Sequence, residues 1–157
     1  MPHQIDRTKS SYQNFIDLVN TGSTHTFTGD EFFEISTQNV QPYTEEPGIV
    51  NTQAELIAAP GSGFTGSKFI RYNRLEPGNT RFGASLDYEI TSEDNDASLK
   101  EKICVEHNLI FNEVSVDGQI PEIVGDTSQM TVVFPEFSLI YIAGSMLINV
   151  TLVESNP

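Results

Sequence analysis

Residues 130–154 read Met130-Thr131-Val132-Val133-Phe134-Pro135-Glu136-Phe137-Ser138-Leu139-Ile140-Tyr141-Ile142-Ala143-Gly144-Ser145-Met146-Leu147-Ile148-Asn149-Val150-Thr151-Leu152-Val153-Glu154. β-Branched and aromatic residues dominate three short runs, Met130 to Phe134, Phe137 to Ala143 and Met146 to Glu154, the last two joined around Gly144-Ser145. Runs of this length between turn residues read as strands. Leu139-Ile140-Tyr141-Ile142 is apolar at consecutive positions, which predicts a central strand covered on both faces.

Upstream, Asp117-Gly118 predicts a type I′ turn pairing Val114-Ser115-Val116 with Gln119-Ile120. Ile103, Val105, His107, Leu109 and Phe111 alternate on one face and predict a strand, with a bulge near Asn112-Glu113 bringing Val114 and Val116 into phase. Ser67 to Leu75 and Arg81 to Thr91 read as strands around the turn Glu76-Pro77-Gly78-Asn79. Thr24 to Thr28 and Glu31 to Ser36 flank a second turn at Thr28-Gly29-Asp30. Residues 37–66 are the least regular, with a short helix expected from Thr52 to Ala59 on the capping spacing of Thr52 and Glu55.

Only the N-terminal region has a clear helical period. Tyr12, Phe15, Ile16 and Val19 form one stripe, Ser10 and Gln13 have capping-box spacing and Gly22 follows, giving a helix over about residues 10–20. Such a helix covers the domain's own sheet or serves as an arm for a partner. The expected fold is mainly β: an antiparallel β-sandwich or jelly-roll-like single domain over 1–157, with an arm and helix in 1–22 and the β domain in 23–154.

At 157 residues the chain can bury about two-thirds of its unfolded surface. With 22 acidic against 8 basic residues the net charge is −14, which disfavours nucleic acid and anionic membranes. One cysteine, Cys104, leaves no intramolecular disulfide and reads as a small buried hydrophobe. The first residues lack the basic patch and apolar run of a secretory signal, so a cytoplasmic location or assembly there is expected. The sequon Asn149-Val150-Thr151 then reads as a coincidence inside a core strand.

The chemical motifs are weak. Gly61-Ser62-Gly63-Phe64-Thr65-Gly66 has the G-x-G-x-x-G spacing, but Pro60 precedes it and the β-like Lys68-Phe69-Ile70-Arg71-Tyr72 follows, where a phosphate loop needs a helix. On the expected strand Cys104 and His107 point to opposite faces, which argues against zinc, and no metal ligand set or cofactor is expected. The tip Glu93-Asp94-Asn95-Asp96 lacks the glycine and distal glutamate of a dedicated calcium loop. No Ser, His or Asp sits in a nucleophile motif, so no catalytic residue is assigned and an enzyme ranks last.

One local departure remains. Lys68, Arg71, Arg74 and Arg81, half of the 8 basic residues, are interleaved with Phe69, Tyr72 and Phe82. Arg and Tyr are favoured at the centres of protein interfaces, which makes Lys68, Arg71, Tyr72, Arg74, Arg81 and Phe82 the candidate partner-binding residues. The alternative is internal pairing with Glu76, Asp87 or Glu89 on neighbouring strands. The expected function is a non-catalytic structural or assembly protein working through protein contacts, as a homo-oligomer or part of a larger assembly. A carbohydrate-binding jelly roll is the alternative: Trp is absent, which removes the commonest stacking platform, and Tyr43, Tyr72 and Tyr88 are the candidates that remain.

In size, acidity, single cysteine and β-rich pattern the whole chain resembles the small accessory proteins of tailed bacteriophage virions, of the capsid decoration or head-to-tail connector type. The resemblance implies a virion location and protein partners. It rests on no motif and assigns no residue.

Overall fold

The computed structural model describes residues 5–77 and 86–155. In chain order the elements are α1 (Ser11–Thr21), β1 (Val40–Pro42), β2 (Thr52–Ile57), β3 (Ser67–Tyr72), β4 (Asp87–Ile90), α2 (Asp96–His107), β5 (Ser115–Asp117), β6 (Thr127–Phe134) and β7 (Gly144–Leu152). They build a three-stranded sheet of order β1-β2-β3 and a four-stranded sheet of order β4-β7-β6-β5. The protein is mainly β with a short N-terminal helix, and two sheets in one chain are consistent with a β-sandwich.

The larger sheet forms where the C-terminal sequence alternates. Met130, Val132 and Phe134 on β6 and Met146, Ile148, Val150 and Leu152 on β7 point to one buried face, while Gln129, Leu147 and Thr151 point away. The antiparallel register sets Met130 opposite Ile148 and Val132 opposite Met146, so apolar side chains meet directly across the strands. β4 adds Tyr88 and Ile90 beside Val150 and Leu152, but it runs parallel to β7, so this sheet is mixed.

The face is covered by a helix that sequence alternation concealed. Residues 96–107 form α2, which replaces the first part of the strand expected over Ile103 to Phe111, burying Leu99, Ile103 and Cys104 at helical spacing while Val105 is exposed. Asn95 and Ser98 cap it reciprocally: each side chain accepts the other residue's backbone N–H, at 2.9 Å in both directions. Two acceptors for the first-turn N–H groups, plus Asn108 in the left-handed region at φ 55° closing the other end, outweigh the modest strand pattern. Cys104 and His107 consequently lie one turn apart on a helix, not on opposite faces of a strand. His107 Nε2 is 2.9 Å from the Tyr88 hydroxyl, and burial pushes the Cys104 thiol up to about 11. Among the described residues no group of three His, Cys, Asp or Glu converges.

The smaller sheet faces α1. Ser10 accepts the Gln13 N–H as N-cap, but the Gln13 side chain turns forward to Asp17, so the expected box is one-sided. Phe15 packs on Tyr72 with ring centroids 5.2 Å apart, and Ile16, Val40, Ala54 and Leu56 complete this second core. The arm before the helix docks on its own protein: Asn108 Nδ2 donates to the Ile5 carbonyl, and Arg7 pairs with Glu101.

Several local expectations are corrected. The expected helix over Thr52 to Ala59 is instead strand β2, Thr52–Ile57, because Thr52, Ala54 and Leu56 alternate inward and pair with β3. Thr24 to Thr28 and Glu31 to Ser36 make no strands beyond a bridge from Phe32 to Ala58. Their turn is held instead by the Glu31 carboxylate, which accepts the N–H groups of Thr28 and Gly29. β5 pairs with β6, not with Gln119-Ile120, and its own strand begins at Ser115. The expected strand Arg81 to Thr91 is described only as β4, with 78–85 outside the described residues.

The segment 137–143 is not a central strand either. Its consecutive apolar residues serve two cores in turn: Leu139 is buried with α1 and the small sheet, Ile140 and Tyr141 with the large one. Ser138 Oγ accepts the N–H groups of Ile140 and Tyr141, and the chain bonds to Leu75 on both sides, Leu75 N to Ile140 O at 2.7 Å and Ile142 N to Leu75 O at 2.9 Å. The run therefore forms the seam between the sheets.

Candidate functional site

β3 carries most of the basic and aromatic island and lies at the edge of the three-stranded sheet. Strand alternation sends Lys68, Ile70 and Tyr72 toward α1 and Ser67, Phe69 and Arg71 to the opposite, outer face. The island is thereby split by function.

Two of its members are internal struts. Tyr72 is 6% exposed and donates its hydroxyl to the Leu139 carbonyl at 2.8 Å, and burial drives its phenol pKa well above the usual value. Arg74 donates from Nε to Thr52 Oγ1 at 3.0 Å and from NH1 to the Ser138 carbonyl at 3.2 Å, tying the small sheet to the seam. Arg81 and Phe82 lie outside the described residues.

Lys68 and Arg71 remain exposed. Arg71 donates to Gln53 Oε1 at 3.1 Å, and its guanidinium carbon stands 4.5 Å from the Tyr43 ring centre. This cation–π contact and the Gln53 bond hold the exposed guanidinium against the outer face of the sheet. Burial raises the Tyr43 phenol above its ordinary value against the opposing pull of Arg71. Among the described residues Lys68, Arg71 and Arg74 form no ion pair, and the part of the expected internal pairing that falls to Arg81 lies outside the described residues.

Around Arg71 the outer face continues as Gln41, Tyr43 and Gln53 on one side and Glu55, Phe69 and Ile57 on the other. Phe33 joins it by pairing its N–H with the Ile57 carbonyl. Phe69 is 55% exposed and Phe33 49%, and no described helix or strand covers them.

The other side of β3 borders a groove of about 580 Å³ that sequence reasoning missed. Its walls are Leu18 and Val19 from α1, Leu56 and Ile70 from the sheet, and the rings of Phe27, Phe32 and Phe64, tilted against one another with Phe27 5.0 Å from Phe32 and 5.3 Å from Phe64. Lys68 sits at the rim. The groove exists because the glycine-rich loop is simply the β2–β3 connection: Gly61, Gly63 and Gly66 all have positive φ, no helix follows, and Phe64 is folded back onto Phe27. Phe27 and Phe64 carried no periodic signal, since each stands in a turn-rich stretch between polar or glycine neighbours.

The remaining candidates resolve into structure. Asp94 accepts from Thr91 N, Ser98 Oγ and Lys102 Nζ, which holds its carboxyl at about 2. The acidic tip is thus the entry to α2. Of the three tyrosines available to a sugar, Tyr72 and Tyr88 are buried and Tyr43 has Arg71 over its ring. No described helix is long and apolar enough to cross a membrane.

A family model described as "Family of unknown function (DUF7941)" matches residues 6–152, from the arm before α1 to the last residue of β7. The chain belongs to that family. Both described sheets, both described helices and the outer face lie inside the matched region. Searches of curated proteins and of solved structures return no significant match.

Proposed function

We propose that this protein is a non-catalytic assembly subunit that works through protein contacts on the outer face of the β1-β2-β3 sheet. The observation that carries the reading is the uncovered row of Phe33, Phe69, Tyr43 and Arg71 on a regular sheet, with the guanidinium prepositioned on the Tyr43 ring. An aromatic and arginine patch with an apolar neighbour is the composition of an interface centre. The charge of −14 keeps such a surface soluble until a partner covers it.

The resemblance to tailed-phage accessory proteins suggests purified virus particles as the first place to look for the assembly. The test uses the tagged chain in its native source, with the particle or complex isolated and cross-linked. Incorporation of the wild type, and its loss in Phe69→Glu combined with Arg71→Glu at unchanged melting temperature, is the expected result. A chain that stays monomeric and cross-links to nothing, or a double variant that assembles normally, overturns the reading.

A further inference from the structure

We propose that the open edge of β3 is a docking site for an extended segment of a partner protein, one that alternates apolar side chains with others and carries a carboxylate where it passes Lys68. This rests on the reading of the chain as one that acts through protein contacts, and it names the partner's chemistry and mode of attachment.

Three features meet at this edge. Ala58 N–H donates to the Gly66 carbonyl at 3.0 Å, and Ala58 and Gly66 fall in the same register that pairs Leu56 with Lys68 and Ala54 with Ile70. The backbone groups of Lys68 and Ile70 therefore face β2, and those of Ser67, Phe69 and Arg71 face outward, where no described strand pairs with them. At six residues β3 is the longest sheet edge among the described strands; the other edges, β1, β4 and β5, have three or four. Beside it runs the groove between β3 and the C-terminal half of α1, with apolar walls able to take the inward side chains of an added strand.

Lys68 selects among possible occupants. An inward-pointing lysine on an edge strand opposes pairing with an ordinary apolar strand, because the ammonium would be buried without a partner. A carboxylate on the incoming strand converts that penalty into a charge-assisted contact, with Arg71 available on the other face. The protein's overall negative charge does not forbid an acidic segment, since screening over about 8 Å at physiological salt makes the local cations decisive. A second copy fits less well: two chains of −14 repel, and β3 against β3 supplies no acid for Lys68.

The probe is an eight-residue acetylated and amidated peptide alternating valine with threonine, with one glutamate placed to face Lys68. Its controls are a scrambled peptide and one with lysine replacing the glutamate. Amide exchange by NMR on the full chain is expected to show new protection at Ser67, Phe69 and Arg71, with the lysine peptide bound at least tenfold more weakly and Lys68→Glu reversing that order. Phe69→Ala, which removes only the outer-face ring, retains peptide binding; Phe69→Pro, which also removes an edge N–H while leaving the β2 ladder intact, abolishes it. Circular dichroism melting checks that both variants fold, and Arg71 edge protection in Ser67→Pro serves as a second edge variant if Phe69→Pro does not. No protection at the three amides, binding indifferent to peptide charge, or a dimer formed through β3 overturns the proposal. Because Phe69→Ala weakens the outer face without touching the edge, undiminished assembly of Phe69→Ala with intact peptide binding contradicts the assembly reading alone, whereas impaired assembly of Phe69→Ala with no peptide binding to the wild type contradicts only the edge.

Discussion

Gly29 shows how much one residue can carry in this fold. Its φ of 106° lies where L side chains are strained, a Cβ there would stand 2.9 Å from Tyr12 Cε1, and its carbonyl accepts the Tyr12 hydroxyl at 2.6 Å. Gly29→Ala is expected to cost about 1–3 kcal/mol, lowering the melting temperature by about 2–4 °C per kcal/mol at this chain length; calorimetry checks it. Asn14 is the polar counterpart. Fully buried on α1, it accepts the Asp6 N–H at 2.7 Å and donates to the Asp6 and Ser10 carbonyls, replacing contacts that water would otherwise make. Asn14→Ala leaves the Asp6 N–H unpaired, while the Asp6 and Ser10 carbonyls keep the backbone N–H groups of Lys9 and Asn14, for an expected loss on the order of 1–2 kcal/mol in chemical denaturation. Neither role is legible in the sequence: the Thr-Gly-Asp pattern places Gly29 in its turn, but the tyrosine above it is seventeen positions away, and an Asn beside the Tyr12, Phe15, Ile16 and Val19 stripe looks like a solvent residue. The island gives a sharper contrast. Arg74→Ala should destabilise by about 1–2 kcal/mol because the Thr52 and Ser138 bonds are lost, whereas Arg71→Ala should shift stability by less than about 0.5 kcal/mol.

Among the elements, those with a clean period were read correctly and those whose identity is set by end groups were not. β6 and β7 alternate strictly and pair in register, and α1 has its stripe and its serine cap. α2 fails that test because its buried positions, Leu99, Ile103 and Cys104, are few and its surface is charged and mixed, while residues 103–111 happen to alternate across the helix end at Asn108. The Asn95-Ser98 cap and Asp94 were the usable signals, and they were read as a loop tip. Asp94 makes the helix start sensitive to pH. Its folded pKa of about 2 lies below the ordinary 3.8, so the contribution is complete above about pH 4 and fades as the pH falls toward 2. Asp94→Asn is expected to be less stable than wild type at pH 6, with the two denaturation midpoints converging near pH 2. A gap that persists unchanged into acid would assign the effect to packing rather than charge.

At the scale of the molecule, two cores are joined by the seam at 138–142, with Tyr72 at the end of β3 and Arg74 and Leu75 just after it bonded to the seam. Consecutive apolar residues marked that segment as buried, which is correct, but periodicity cannot distinguish a strand between two layers from an irregular segment shared by two cores. The basic and aromatic strand was legible as an island of cations and rings in an acidic chain. Its division into struts at Tyr72 and Arg74 and an open surface at Lys68, Phe69 and Arg71 required knowing which way each side chain points. The surface reading is tested most directly by a hydrogen–deuterium exchange footprint of the chain free and within its isolated native assembly. Protection concentrated at residues 41–43 and 67–72, with 95–107 and 127–134 unchanged, is the predicted result; protection confined to the four-stranded sheet and α2, with the β3 region still fully exchanging, would contradict it.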